Sequence, residues 1–123
     1  MPKRILIVED DLLNRMFYDA VFQQRDFDTL IVDDGALVLD AVESFAPDLI
    51  TMDIHLPNIS GKKLIKAIRA NPATSGIPIL AITAFAGKLD EESIRRAGAN
   101  GYVAKPLSIE RLLAEVDTLL ASA

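Results

Sequence analysis

Along the chain, short apolar or β-branched runs alternate with longer stretches in which apolar residues recur every three or four positions. The runs lie at Arg4 to Val8, Phe27 to Val32, Asp48 to Met52, Ile77 to Thr83 and Gly101 to Ala104. Their length and composition predict strands, and their spacing of about 20 to 30 residues leaves room for a crossover helix after each. Leu13, Met16, Phe17, Ala20 and Val21 fall at helical spacing, as do Val38, Ala41, Val42 and Phe45, so each set predicts a helix with one buried face. Leu64, Ile65 and Ile68 predict a shorter third helix. Ile109, Leu112, Leu113, Val116 and Leu120 predict a fifth, with Ser108 as its N-cap. Leu119 is a surplus apolar residue on that helix and is expected at the surface, as part of a partner contact. The fourth helix is predicted from its ends: Asp90 as N-cap, Glu91 and Glu92 in the first turn, Arg95 and Arg96 in the last, and Gly98 beyond. That charge order suits the helix dipole.

Five strands alternating with five helices imply an α/β fold: a doubly wound (βα)5 unit whose five-stranded parallel sheet is covered on both faces. In such sheets function gathers beyond the carboxyl ends of the strands, near the point where strand order reverses.

Composition narrows the class. With 123 residues the chain is expected to form a single domain, residues 1–123, with no output domain after the fifth helix. No apolar stretch approaches the roughly 20 residues of a membrane helix. Met1-Pro2-Lys3-Arg4 leads straight into Ile5-Leu6-Ile7-Val8 and then acids, which is not a signal peptide. The absence of cysteine excludes disulfides and thiolate chemistry, and the single histidine excludes a multi-His metal site. A cytoplasmic protein is expected. A net charge of −5 with scattered basic residues argues against binding nucleic acid.

The chemistry stands at the predicted strand ends: Glu9-Asp10-Asp11 after the first, Asp53 after the third, Thr83 at the end of the fourth and Lys105-Pro106 after the fifth. Like charges about 4 Å apart repel by roughly 4 kcal/mol at an effective dielectric near 20, so clustered carboxylates call for a cation. Oxygen donors without His or Cys side chains select Mg2+ or another hard divalent ion, which keeps coordination positions for water or phosphate. Lys105 and Thr83 supply a fixed charge and a hydroxyl donor for phosphoryl oxygens, and Asp53 is placed as a nucleophile that would form an aspartyl phosphate.

Glu9-Asp10 after ILIV, Asp53 in MDIHLPNISG, Thr83-Ala84 in AITAFAG and Tyr102 to Pro106 in GYVAKP together resemble the response-regulator receiver family of two-component signalling, in the CheY-like superfamily. The resemblance spans nearly the whole chain. VEDDLLNR, MDIHLPNISG, AITAFA and KPLS are most similar to the stand-alone, DivK-type cell-cycle receivers of bacteria. The resemblance implies a flavodoxin-like sheet in the order 2-1-3-4-5. It also implies that Asp53 accepts a phosphoryl group from a histidine kinase or histidine phosphotransferase. Asp10, Asp53 and the backbone carbonyl of His55 would then ligate Mg2+, with Glu9 acting through a metal-bound water. Lys105 would contact the phosphate and Thr83 would turn toward it. Tyr102 would swing inward behind Thr83, changing the surface of the fourth helix, fifth strand and fifth helix that a downstream effector reads.

By the same resemblance, Pro106 follows a cis peptide bond that orients Lys105, and a kinase would dock around Asn14, Arg15 and Tyr18 and the loop after Lys105. Only the backbone of His55 is expected to matter, although side chains at this position and at Phe85 influence water access to the phosphoryl group in the family. Bulky Phe85 is expected to slow hydrolysis. Pro57 would set the loop after Asp53, and Gly61 would supply a conformation other residues avoid.

The expected function is a phosphorylation-dependent switch that catalyses only its own phosphorylation and slow dephosphorylation. Alternatives are a phosphate-shuttling relay intermediate and a receiver-like interaction module that is never phosphorylated. An aspartate-based phosphohydrolase would carry a second Asp two residues after the nucleophile, where this chain has His55. A flavin or nucleotide carrier would need a Gly/Ser/Thr-rich phosphate loop where Glu9-Asp10-Asp11 stands.

Overall fold

The computed structural model describes residues 2–84 and 87–122. Five strands, β1 (Arg4–Val8), β2 (Asp28–Val32), β3 (Leu49–Asp53), β4 (Ile79–Thr83) and β5 (Gly101–Ala104), form a parallel sheet in the order β2-β1-β3-β4-β5. Five helices alternate with them: α1 (Leu12–Gln24), α2 (Val38–Phe45), α3 (Gly61–Ala70), α4 (Lys88–Ala97) and α5 (Ile109–Ser122). Strand order reverses between β1 and β3, the place where open α/β sheets leave a crevice. Val8 pairs with Met52 and Thr83 with Ala104. Glu9 therefore comes level with Asp53 on one side of the crevice, and Lys105 follows directly beyond Thr83's partner on the other.

Alternation along each strand sends successive side chains to opposite faces. Ile5, Ile7, Leu49, Leu80, Ile82 and Val103 pack under α1 and α5, while Leu6, Val8, Ile50, Met52, Ile79, Ala81 and Tyr102 pack under α2, α3 and α4. Both faces are covered, so the strands read as near-continuous apolar runs. The edge strand β2 departs from that expectation. Its Leu30 and Ile31 remain partly exposed, because β1 covers only one of its sides.

Helix ends follow local chemistry. Asp11 accepts from the Asn14 amide at 2.9 Å, Ser60 from Lys63 at 3.2 Å and Ser108 from Arg111 at 3.1 Å, satisfying first-turn donors of α1, α3 and α5. In α4 the cap is Gly87, not Asp90. The helix starts at Lys88, and Asp90 sits with Glu91 inside the first turn, where a carboxylate also meets the positive end of the dipole.

Two apolar faces differ from the predicted ones. On α1 the buried residues are Tyr18, Val21 and Phe22, whereas Leu13 is 75% exposed and Met16 and Ala20 also face outward. The helix is rotated by about one residue from the predicted stripe, which buries two aromatic rings. On α5, Leu119 is buried beside Leu112 and Val116 against β4 and β5, so it belongs to the core and not to a partner surface.

At the opposite end of the sheet from the crevice, Arg69 ties three segments together. Its guanidinium donates to the carbonyls of Gly98, Ser75 and Ile77 and to Asn100 Oδ1, and that same oxygen accepts from the Ile79 amide.

Candidate functional site

The strand ends converge on Asp53. It is the last residue of β3, buried to 4% exposure, and its Oδ1 accepts the backbone N–H of His55 at 3.0 Å. The loop that carries His55 is closed by the Gly61 amide donating to the Ile54 carbonyl at 3.0 Å. Gly61 is needed there for space rather than for an unusual backbone angle. A Cβ on it would stand 2.6 Å from the Asp53 carbonyl oxygen and 2.8 Å from Ile54 Cα. Pro57 is exposed in the same loop.

Lys105 reaches in from the end of β5. Its Nζ lies 3.1 Å from Glu9 Oε1 and 3.8 Å from Asp53 Oδ2, and the Lys105–Pro106 peptide is cis, as the motif implied. Glu9 is 1% exposed, and its other oxygen accepts the Asp11 amide at 3.2 Å. Burial pushes the Glu9 carboxyl up to about 7, with the hydrogen bond and negative charge of Asp53 adding to the rise and the Asp11 amide and Lys105 opposing it.

Glu9, exposed Asp10 and Asp53 each bring a carboxylate oxygen within 4.8 Å of the others. The donors are hard oxygens, and among the described residues no His or Cys side chain joins the cluster, so the set fits a hard divalent cation such as Mg2+.

Beneath this acidic end lies Tyr18, 2% exposed, whose buried hydroxyl makes no hydrogen bond among the described residues. Burial first, then the charges of Glu9, Asp53 and Asp11, push its pKa up. Tyr18 is thus a core residue at the floor of the groove that α1 shares with Lys105 and Leu107, and not the surface residue expected from the sequence.

A family comparison fits this geometry: the model for the response regulator receiver domain matches residues 5–117. The chain belongs to the response-regulator receiver family. Among curated receivers it is 37% identical to the polar-differentiation response regulator DivK of Brucella anthropi and of Brucella ovis, over all of both chains in each case. Among solved structures, a putative response regulator from Chloroflexus aurantiacus superposes with a TM-score of 0.93 at 31% identity, over 98% of this chain and 99% of that one. The receiver domain of the Pseudomonas aeruginosa sensor histidine kinase PA1611 superposes at 0.90 with 30% identity, over 98% of each chain, and holds a magnesium ion coordinated in its active site cleft.

In this receiver, Thr83 is buried to 1% exposure at the end of β4, and its Oγ1 lies 2.9 Å from Nε2 of the His55 ring. The His55 side chain thus makes a contact where only its backbone was expected to matter. No local pattern could reveal this contact, since it joins residues 28 apart through the pairing of β3 and β4. Tyr102 is already buried, packed in the same cluster as Ile94 and Ala97 of α4. Phe85 lies outside the described residues, as does the expectation attached to it.

Proposed function

We propose that this receiver takes a phosphoryl group onto Asp53 from a phosphohistidine of a sensor kinase or histidine phosphotransferase, and that the modified protein binds a downstream effector. The observation that carries the reading is the buried Asp53 carboxylate, with a lysine amine 3.8 Å away and two further carboxylates around it. A carboxylate oxygen of Asp53 attacks phosphorus, the P–N bond breaks, and its electron pair stays on the imidazole, which leaves neutral because its other ring nitrogen carries a proton. The product is a mixed anhydride on a side chain that β3 holds rigid.

Mg2+, held by Asp10, Asp53 and the His55 carbonyl with Glu9 acting through water, would offset charge on the phosphoryl oxygens. Lys105 neutralises a transferring oxygen, and its present pairing with Glu9 keeps it in the crevice until then. The Thr83 hydroxyl donates to another oxygen. Its movement alters the α4–β5–α5 surface through Tyr102, which already packs inward against α4, a local charge change read at a distance. Leu12, Leu13 and Met16 are exposed on α1 beside Asn14 and Arg15, which supports kinase docking on that helix.

The match to DivK receivers over their whole length supports a DivK-like receiver role. Among the described residues, no helix is long and apolar enough to cross a membrane. A cytoplasmic site of action is part of the proposal.

The test is incubation with Mg2+ and acetyl phosphate followed by intact mass, repeated with Asp53→Asn. A gain of one phosphoryl group by the wild type and none by the variant is the expected result. No uptake by the wild type would sink the reading, and uptake by the variant would move the acceptor elsewhere.

A further inference from the structure

His55 is an exposed residue, yet its ring Nε2 stands 2.9 Å from the hydroxyl oxygen of Thr83, a residue that is itself 1% exposed. A neutral imidazole offers one donor and one acceptor, and a threonine hydroxyl offers one donor and two lone pairs. Whichever group donates, the bond fixes Oγ1 at the ring. The backbone of the same histidine is already engaged, its N–H on Asp53 Oδ1 at 3.0 Å. One residue therefore touches both the nucleophile, through its main chain, and the hydroxyl at the end of the neighbouring strand, through its side chain.

We infer that the His55 side chain is a positioning residue that latches Thr83 in the resting protein, so that Thr83 must break with His55 before it serves a phosphoryl group on Asp53. This rests on the phosphoacceptor reading above. It differs from that reading in giving the His55 side chain a role in the resting equilibrium, separate from the backbone carbonyl.

Two further features suit a latch. A cavity of about 240 Å³ lies next to the pair, between the β3–α3 loop and α4, with Lys62, Asp90, Ser93 and Ile94 in its wall. It leaves the ring and the threonine room to part without moving a strand. The Lys62 amine donates to Ser93 Oγ at 2.7 Å across the same opening, which holds α3 and α4 together around it. Competition for one hydroxyl also has a definite sign: a side chain that holds Thr83 back raises the free energy of the activated arrangement by the strength of the bond it loses.

The experiment uses the full chain, isotope-labelled, with Mg2+ and beryllofluoride as the phosphoryl mimic, in wild type, His55→Leu, His55→Gln, Thr83→Val and the His55→Leu/Thr83→Val pair. His55→Leu is expected to bind beryllofluoride about two- to tenfold more tightly, the range that one ordinary hydrogen bond corresponds to. His55→Gln, which restores a polar partner, is expected to return toward wild type. In the Thr83→Val background, His55→Leu should change nothing, because the cycle removes the bond it acts through. Equal or weaker binding by His55→Leu, or the same gain in the Thr83→Val background, would overturn the latch.

Without any mimic, the Thr83 methyl resonance should shift in His55→Leu and recover in His55→Gln; an unmoved resonance also overturns the latch. If wild type binds no beryllofluoride, the phosphoacceptor reading fails, while the methyl comparison in the resting chain still reports on the bond itself.

Discussion

The Lys105 amine is closer to Glu9 than to Asp53, at 3.1 Å against 3.8 Å. The cation at the end of β5 thus spends its strongest contact on a carboxylate that is 1% exposed, and that carboxylate has no outlet to water. Removing one partner of a buried pair costs more than the pair contributes, because the remaining charge is left desolvated. Lys105→Met is therefore expected to destabilise the metal-free receiver by about 1–3 kcal/mol at pH 8. The loss should be smaller at pH 5, where Glu9 can take up a proton instead. Urea unfolding at the two pH values, without divalent ions, checks this, and a loss equal at both would show that Lys105 acts through packing alone.

The same carboxyl predicts how stability varies with pH. Glu9 is pushed up to about 7 in the folded receiver from an ordinary value of 4.5. Between those values the folded state binds more protons than the unfolded chain, so stability falls as pH rises through that window. The loss contributed by Glu9 should be on the order of 1–3 kcal/mol. Glu9→Gln should flatten the profile, and Mg2+ should oppose the decline because a cation favours the ionised cluster. The midpoint of urea unfolding, followed from pH 4.5 to 7.5 with and without Mg2+, reads both effects; a wild-type profile that matches Glu9→Gln at every pH would contradict them.

Much of this site was legible because each of its parts ends a strand. Glu9, Asp53, Thr83 and Lys105 could be assigned to one rim as soon as the βα alternation was recognised, and the register that brings Glu9 level with Asp53 follows from parallel pairing. What escaped was set by tertiary packing. In α1 two overlapping stripes are available, one through Leu13, Met16 and Ala20 and the other through Tyr18, Val21 and Phe22. Spacing cannot choose between them; the larger aromatic area buried by the second does. Leu119, by contrast, was legible: seven residues after Leu112 and three after Val116, it shares their buried face by helical spacing alone. The edge position of β2 is invisible in an apolar strand taken alone, and the reach of His55 to Thr83 depends on which strands are neighbours.

Arg69 carries a prediction far from the crevice. Its four acceptors are three carbonyls and an amide oxygen, with no carboxylate among them. Arg69→Ala would leave the half-buried Gly98 and Ile77 carbonyl groups without this donor and free the segments before β4 and β5. A loss of about 2–3 kcal/mol is expected, with a fall of several degrees in Tm. The rate of phosphoryl uptake from acetyl phosphate should stay within twofold of wild type, since the staple lies at the other end of the sheet. A large drop in uptake by folded protein would mean that the two ends are coupled.

Thr51 lies in the middle of β3 between Ile7 of β1 and Leu80 of β4, 1% exposed, with its hydroxyl unpaired among the described residues. An unsatisfied buried hydroxyl forfeits its hydration without return. Thr51→Val keeps the branched shape and removes the polar atom, so it should stabilise the receiver by about 0.5–1.5 kcal/mol. Chemical denaturation decides the sign. Destabilisation would show that the hydroxyl is satisfied in solution, as by an internal water.

Gly61 tests whether the loop that follows Asp53 tolerates any added volume. The two atoms a Cβ would meet, the Asp53 carbonyl oxygen at 2.6 Å and Ile54 Cα at 2.8 Å, are both main chain, so neither can rotate away as a side chain would. Relief requires α3 to move off the end of β3, and Ser60, which caps α3, would move with it. Gly61→Ala is normally favourable within a helix, by roughly 0.5–1 kcal/mol. Here overpacking against backbone should outweigh that gain and leave a net loss of about 1–3 kcal/mol. The displacement also reaches the His55 N–H that holds Asp53 Oδ1, so phosphoryl uptake by the folded variant should slow by more than the change in stability alone implies. Paired measurements of urea midpoint and uptake rate separate the two effects, and a variant as stable and as fast as wild type would show that the loop is softer than its packing indicates.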